Sequence, residues 1–200
     1  MMYSADLRLM RDEVFAIETE RLRLAVLKKS AAIMVNDYLV RNRAYHKRWA
    51  QTQPDSYFTV KMQKEYLKSD VNLFYEERLL PFFIFEKDHP EKVIGRVSLF
   101  NIVGGGMQCA TIGYHLDEKA VGKGIMSEAV RAACAFGFKE LKLHRIEAYV
   151  IPYNDRSLSV VRRAGFVQEG ERKSYMHING HWEDHLAFTL FEENLREMEK

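Results

Sequence analysis

Cysteine, proline and surplus charge are all scarce in this chain. Two cysteines in 200 residues are too few for a disulfide framework. Cys109 falls in a strand-like run and Cys134 in a helix-like run, so both read as buried free thiols of a reducing cytosol. Four prolines and eleven glycines exclude a collagen-like or linker-dominated chain. Thirty Lys+Arg nearly balance 28 Asp+Glu, leaving a formal net charge of +2. That argues against nucleic acid as the main ligand, which would need a concentrated excess of cations. No apolar stretch approaches the roughly 20 residues of a membrane span. The N-terminal MMYSADLRLMRDEVF is broken by charge every few residues, unlike a signal peptide. A cytoplasmic protein with no membrane partner is expected.

With 47% hydrophobic and 12% aromatic residues, the chain can bury enough surface to offset its ordering entropy. Two hundred residues suit one domain with a full core, and no repeat, low-complexity tract or linker divides them. Alternation in Arg21–Leu27 predicts a strand. Ser30 is placed to cap a short helix running to about Arg41, and the polar, aromatic Asn42–Pro54 reads as a loop. A second helix fills most of Thr59–Glu77. Strands are expected at Pro81–Lys87, Val93–Val103 and Cys109–Leu116, the last two joined through Gly104-Gly-Gly106. A helix runs from the Gly122-Lys-Gly124 segment to about Glu140. Arg145–Val150 is a strand, Ser157–Ala164 a helix, and Asn179-Gly180 turns a final hairpin of Phe166–His177 and His181–Leu190. The order is that of one mixed α/β domain spanning the chain.

Chemistry concentrates first at the junction His115–Ser127. A strand, a short glycine-bearing loop and a helix start make an anion site, because unpaired N–H groups point outward and the helix dipole adds positive potential. Gly122 and Gly124 leave room for a phosphate, and Ser127 adds a hydroxyl. The dinucleotide pattern G-x-G-x-x-G is absent, since Glu128 follows Met126 and Ser127, and so is the G-x-x-x-x-G-K-[ST] of a P-loop. The loop suits a pyrophosphate rather than NAD or ATP undergoing hydrolysis.

The second feature is Pro152-Tyr-Asn-Asp-Arg-Ser157, running into a helix that ends Arg-Ala-Gly-Phe166, directly after a strand. Asn154 there has the position of a helix N-cap. The paired G-K-G-I-M-S-E-A and N-D-R-S…R-A-G-F segments resemble the GCN5-related N-acetyltransferase (GNAT) family. T-E-R-L-R-L, H-R-I-E-A-Y-V and the E-G-E-R-K-S-Y-M-H-I-N-G-H-W-E-D-H tail resemble its ribosomal-protein-alanine (RimJ/RimL-like) branch. The likeness covers about Glu18 to Leu190. Against the family's Q/R-x-x-G-x-G/A, Val121 replaces the polar residue and Met126 the last small one; the first change matters little where the loop acts through backbone amides.

The resemblance implies an acyl-CoA N-acyltransferase fold, with a splayed, mostly antiparallel central sheet flanked by helices. It also implies acetyl-CoA as co-substrate and no metal. The amides of Gly122, Lys123, Gly124, Ile125, Met126 and Ser127 would hold the pyrophosphate. Tyr114, His115 and Leu116 would pair with the pantetheine, and Asn154 and Ser157 would lie near the thioester. Lys123, Arg156 and Arg162 are further cations for the phosphates. An amine would attack the thioester directly, with a Leu116-region N–H meeting the carbonyl oxygen and Ser157 reprotonating the sulfur. An α-amine of pKa about 7.8 is roughly a tenth neutral at pH 7, whereas lysine is neutral at under about 0.1%. A protein N-terminus, such as that of a ribosomal protein, is therefore the expected acceptor. A small amine (polyamine or antibiotic) and a non-catalytic acetyl-CoA-binding module are the alternatives. No carboxylate or histidine identifies itself as a base.

Remaining candidates concern the acceptor. Glu147 and Tyr149 share one face of their strand, and either face of that strand could be covered. Asp184 alternates with Trp182, Leu186 and Phe188, so a buried partner or amine recognition is expected of it. His177, His181 and His185 do not make a zinc site, because strand positions four apart lie roughly 13 Å from each other. Arg41–Trp49 is basic and aromatic; Trp49 could pack on the acceptor, and RNA would enter only as a neighbour. The oligomeric state is left open, a homodimer being one option.

Overall fold

The structure is a computed structural model and describes residues 2–3 and 8–197. Among these, nine strands form a single sheet of order β1-β2-β3-β4-β5-β6-β7-β9-β8. The strands are β1 (Met2–Tyr3), β2 (Glu13–Glu18), β3 (Leu22–Leu27), β4 (Leu80–Glu86), β5 (Gly95–Val103), β6 (Cys109–Leu116), β7 (Arg145–Val150), β8 (Val167–Ile178) and β9 (His181–Phe191). The helices are α1 (Ala32–Arg41), α2 (Arg43–Lys47), α3 (Val60–Tyr75), α4 (Ile125–Lys139), α5 (Asp155–Arg163) and α6 (Glu192–Glu197). Every neighbouring pair is antiparallel except β6–β7, which is parallel. This is the mixed α/β, mostly antiparallel sheet expected from the sequence. None of the described helices is long and apolar enough to cross a membrane.

Each face of the sheet carries its own apolar layer. On one, Ala129, Val130, Ala132, Ala133 and Phe136 of α4 pack with Leu24, Phe82, Val97, Leu99 and Ile146. On the other, Val35, Tyr38 and Leu39 of α1 and Leu67 of α3 cover Ala25, Phe83 and Phe85. The alanines of α4 let the helix lie close on the strands. Gly137 lets it closer still, since a Cβ there would sit 2.7 Å from Leu99 Cδ1.

Two local expectations are corrected, and one strand lies where none was assigned from the sequence. β2 was not anticipated, because Glu13-Val-Phe-Ala-Ile-Glu18 does not alternate; Glu13 is buried as the partner of Arg23 (2.7 Å). Ser30 caps nothing: Lys29–Ala31 is a 3-10 turn without a side-chain cap and α1 starts at Ala32. The expected loop Asn42–Pro54 contains α2, whose five residues have no side-chain cap. Tertiary bonds hold α2 instead, among them Arg43 to Asp55 (2.5 Å) and His46 Nε2 to the Leu116 carbonyl (2.8 Å).

Both cysteines are buried free thiols, and burial pushes the Cys134 thiol far up.

Candidate active site

The sheet opens where its one parallel pair ends. β6 and β7 pair from Cys109–Arg145 to Thr111–Glu147. β7 then follows β9 as far as Val150–Leu186, while β6 stays with β5 to Leu116–Gly95. From Ile112 onward, the edge of β6 that faced β7 borders a gap. Asp117 N–H donates to Ile94 O (2.7 Å), toward β5. Backbone groups alternate sides along a strand, so the N–H of Leu116, and by the two-residue repeat that of Tyr114, point into the gap. Leu116 O lies on that side as well, accepting from His46.

A cavity of about 650 Å³ fills the gap. One wall is the start of α4. Gly122 and Gly124 have φ of 83° and 76°, a left-handed backbone that disfavours a Cβ. The first amide to close a helical bond is that of Glu128, to Gly124 O (3.1 Å), so the preceding amides of Ile125, Met126 and Ser127 stand outside the helical ladder. Glu128 anchors this end to the β2–β3 turn by accepting from Thr19 Oγ1 (2.5 Å), the Arg21 amide (3.1 Å) and Arg21 Nε (2.7 Å). Burial opposes ionisation of Glu128, but those hydrogen bonds prevail and hold its pKa below the usual carboxylate range. Arg21 Nη1 also donates to Lys123 O (3.0 Å), fixing the loop through its backbone.

The opposite wall is α5, which starts where β7 ends. Asn154 Oδ1 accepts from the Ser157 N–H (3.2 Å) and caps the helix. Ser157 Oγ is left free of that duty and lies 2.8 Å from Tyr114 OH, which also reaches Ser157 O at 3.2 Å. Burial raises the Tyr114 pKa, with the Ser157 hydrogen bond only partly offsetting it. The phenol therefore stays protonated at neutral pH.

The roof is the segment from α2 to residue 58. Arg156 Nη1 of α5 donates to Tyr45 OH (2.7 Å) across the gap. The β8–β9 turn grips the same segment: Asn179 Nδ2 donates to Lys47 O (2.6 Å), Thr52 Oγ1 to Asn179 Oδ1 (2.5 Å) and Gln51 Nε2 to His177 O (3.2 Å). At the foot, the His46 and His115 rings lie 5.0 Å apart and His115 Nδ1 is 2.6 Å from Tyr38 OH. Burial, with His46 and Arg96 nearby, holds the His115 pKa well below 6.5. Burial also lowers that of His46, against the opposing pull of the Leu116 carbonyl and Asp117.

Of the residues singled out in the sequence, Tyr114, His115, Leu116, Gly122, Gly124, Ile125, Met126, Ser127, Asn154, Ser157 and Trp49 all line this cavity. Trp49 lies beside Tyr153 (6.0 Å between rings) with Arg48 over it. Arg156 and Arg163 are in the lining, rather than Lys123 and Arg162. Glu147, Tyr149 and Asp184 stand outside it. Glu147 accepts from Tyr149 OH and pairs with Arg145 (3.0 Å). The buried partner expected for Asp184 is corrected: its half-exposed carboxylate meets the exposed Lys173 (2.9 Å) and the Ser174 amide (2.8 Å). Along that face of β9 burial deepens only gradually: Trp182 is exposed, Leu186 partly buried against the core, and Phe188 and Leu190 fully inside it. Sequence reasoning missed His46, Tyr38 and the Asn179 clasp. His46 sat in an apparent loop, and Asn179 signalled only a turn.

Residues 21–167 match the family model described as an acetyltransferase (GNAT) domain. The chain is 44% identical over 154 residues to the probable N-acetyltransferase YjcK of Bacillus subtilis, covering 74% of this chain and 82% of that protein. It is 31% identical over 175 residues to the ribosomal protein uS5-alanine N-acetyltransferase of Escherichia coli, covering 87% and 89%. The crystal structure of the ribosomal-protein-S5-alanine acetyltransferase from Vibrio fischeri superposes with a TM-score of 0.84 at 35% identity, covering 89% of this chain and 97% of that one. Family match, relatives and fold agree with a cleft opened by the one parallel strand pair: the chain belongs to the GNAT family of N-acetyltransferases.

Proposed function

We propose that the chain transfers the acetyl group of acetyl-CoA to the N-terminal α-amine of a protein, with a ribosomal protein as the favoured acceptor. The observation that carries this is the two-sided cleft. The amide-rich start of α4 suits the pyrophosphate, and the open edge of β6 suits the pantetheine amides. Asp155 is the one carboxylate among the described residues that line the cavity, against Arg43, Lys47, Arg156 and Arg163. A polyamine site would present several carboxylates to its cations, so this lining disfavours that acceptor. The two relatives named for ribosomal-protein alanine acetylation support the choice of protein class.

In this reading the thioester lies between Leu116 and Ser157. The Leu116 N–H, pointing into the gap, meets the developing oxyanion. Ser157, backed by the protonated Tyr114, supplies the sulfur's proton. Trp49, at the roof, packs on the acceptor chain.

The test is CoA-thiol release with N-terminal peptides, N-blocked lysine peptides and polyamines. Fastest turnover is expected on N-terminal alanine peptides. Turnover confined to polyamines would overturn the acceptor. Acetyl-CoA binding without thiol release on any amine would overturn catalysis.

A further inference from the structure

His46 lines the cavity from a helix too short and too poorly capped to be there on propensity alone. A carbonyl oxygen can only accept, so its 2.8 Å contact with Leu116 O places the ring proton on Nε2. Nδ1 is then the ring's bare acceptor. The groups facing this ring are Tyr38 of α1, Tyr45 of its own helix, His115 of β6 and Asp117 just after β6. Asp117 is turned to Arg41 (2.7 Å), the Lys119 amide (3.0 Å) and Asn42. His115 is neutral. No cation beside His46 is therefore needed to keep the ring uncharged; burial does it.

We propose that His46 Nδ1 takes the proton from the acceptor's α-ammonium, and that this base restricts the enzyme to weakly basic amines. The proposal rests on the N-terminal reading above and supplies the base that the sequence did not reveal. One proton passes from the ammonium to Nδ1, freeing the amine lone pair. That pair forms the C–N bond to the thioester carbonyl carbon, and the C–S bond breaks with its electrons on sulfur. A second amine proton reaches the sulfur by way of Ser157, giving the amide and the CoA thiol. The imidazolium then returns its proton to water.

The restriction follows from proton affinity. Burial lowers the ring's pKa and keeps it a weak base. An α-amine of pKa about 7.8 yields its proton to a given base roughly 400-fold more readily than a lysine of about 10.4.

His46→Gln keeps an N–H donor for Leu116 O but has no basic nitrogen. With an N-terminal alanine peptide at pH 7, kcat is expected to fall by about 100-fold or more. The KM for acetyl-CoA and the Tm should hold, and the deficit should shrink as rising pH neutralises the amine. Wild-type kcat in His46→Gln would overturn the base while leaving the acceptor reading intact. Wild-type turnover of lysine peptides as fast as N-terminal ones would overturn the restriction. Nitrogen NMR of the labelled histidines of the wild-type chain decides independently of turnover. A neutral His46 carrying its proton on Nε2 at pH 7 supports the assignment, and a charged ring or a proton on Nδ1 overturns it. If His46 titrates as expected but the enzyme accepts only polyamines, it is the N-terminal reading that fails.

Discussion

At the scale of single residues, Ser157 serves two neighbours through two different groups. Its amide belongs to the helix, capped by Asn154 Oδ1, while its hydroxyl belongs to Tyr114. Ser157→Ala therefore leaves the cap in place, and its stability cost should stay near the ~1 kcal/mol of one hydrogen bond. In the proposed reaction the same change should lower kcat by about 100-fold with little change in the KM for acetyl-CoA. Steady-state kinetics on N-terminal peptides read both numbers, and an unchanged kcat would make the hydroxyl structural. Tyr114→Phe distinguishes the two oxygens: a loss as large as that of Ser157→Ala would make the phenol the proton source. Asn154 was legible as a cap because an asparagine between a strand and a helix has few other uses. The Tyr114 contact was not, since the two side chains are 43 residues apart in sequence and meet only where β6 and β7 diverge.

Among the elements, α4 was the most legible and α2 the least, for the same physical reason. α4 declares itself by a glycine-bearing start, a helical spacing of apolar residues and a length of 15 residues. α2 has five residues and no local signal, and exists because His46, Arg43 and Tyr45 find partners on β6, near α3 and on α5. The seat of α4 on the sheet gives a direct prediction. A Cβ at Gly137 would meet Leu99 Cδ1 at 2.7 Å, Leu143 Cδ1 at 3.2 Å and Ile146 Cδ1 at 3.3 Å. Gly137→Ala gains about 1 kcal/mol of helix propensity, yet overpacking of this kind costs about 1–3 kcal/mol. A net loss of about 1 kcal/mol should lower Tm by roughly 2–4 °C in a chain of this size. Thermal unfolding monitored by circular dichroism reads it. A raised Tm would show that the Leu99 side chain yields and that the helix is not held at its closest approach.

Over the whole molecule, ion pairs tie the ends of strands and helices to one another. Glu128 ties the α4 start to the β2–β3 turn, and Asp117 ties the end of β6 to Arg41 of α1. Glu18 ties β2 to Arg23 and Lys87. Burial opposes ionisation at all three, but their hydrogen bonds to cations and amides prevail, so each folded pKa lies below its ordinary value. Such groups stabilise fully above the unfolded pKa, and the stabilisation is lost as pH falls through the folded one. Asp70 runs the other way: burial raises its pKa despite Arg96, so its contribution is complete in acid and declines as pH rises. Glu169 and Asp184 are also lowered, by hydrogen bonds from Thr189 and the Ser174 amide; with five such carboxylates against one, stability should fall from about pH 5 downward, and the frame of the cleft should loosen with it. Glu128→Gln isolates one of the five. Because Arg21 is half-exposed, solvent screens the pair, and the variant should be about 1 kcal/mol less stable at neutral pH. Once pH falls through the folded Glu128 pKa, the wild-type side chain is itself neutral and the two proteins should converge. Urea midpoints of both proteins between about pH 7 and pH 3 test this. A difference that persists unchanged into acid would mean that Glu128 holds α4 by shape and hydrogen bonding, with its charge contributing nothing.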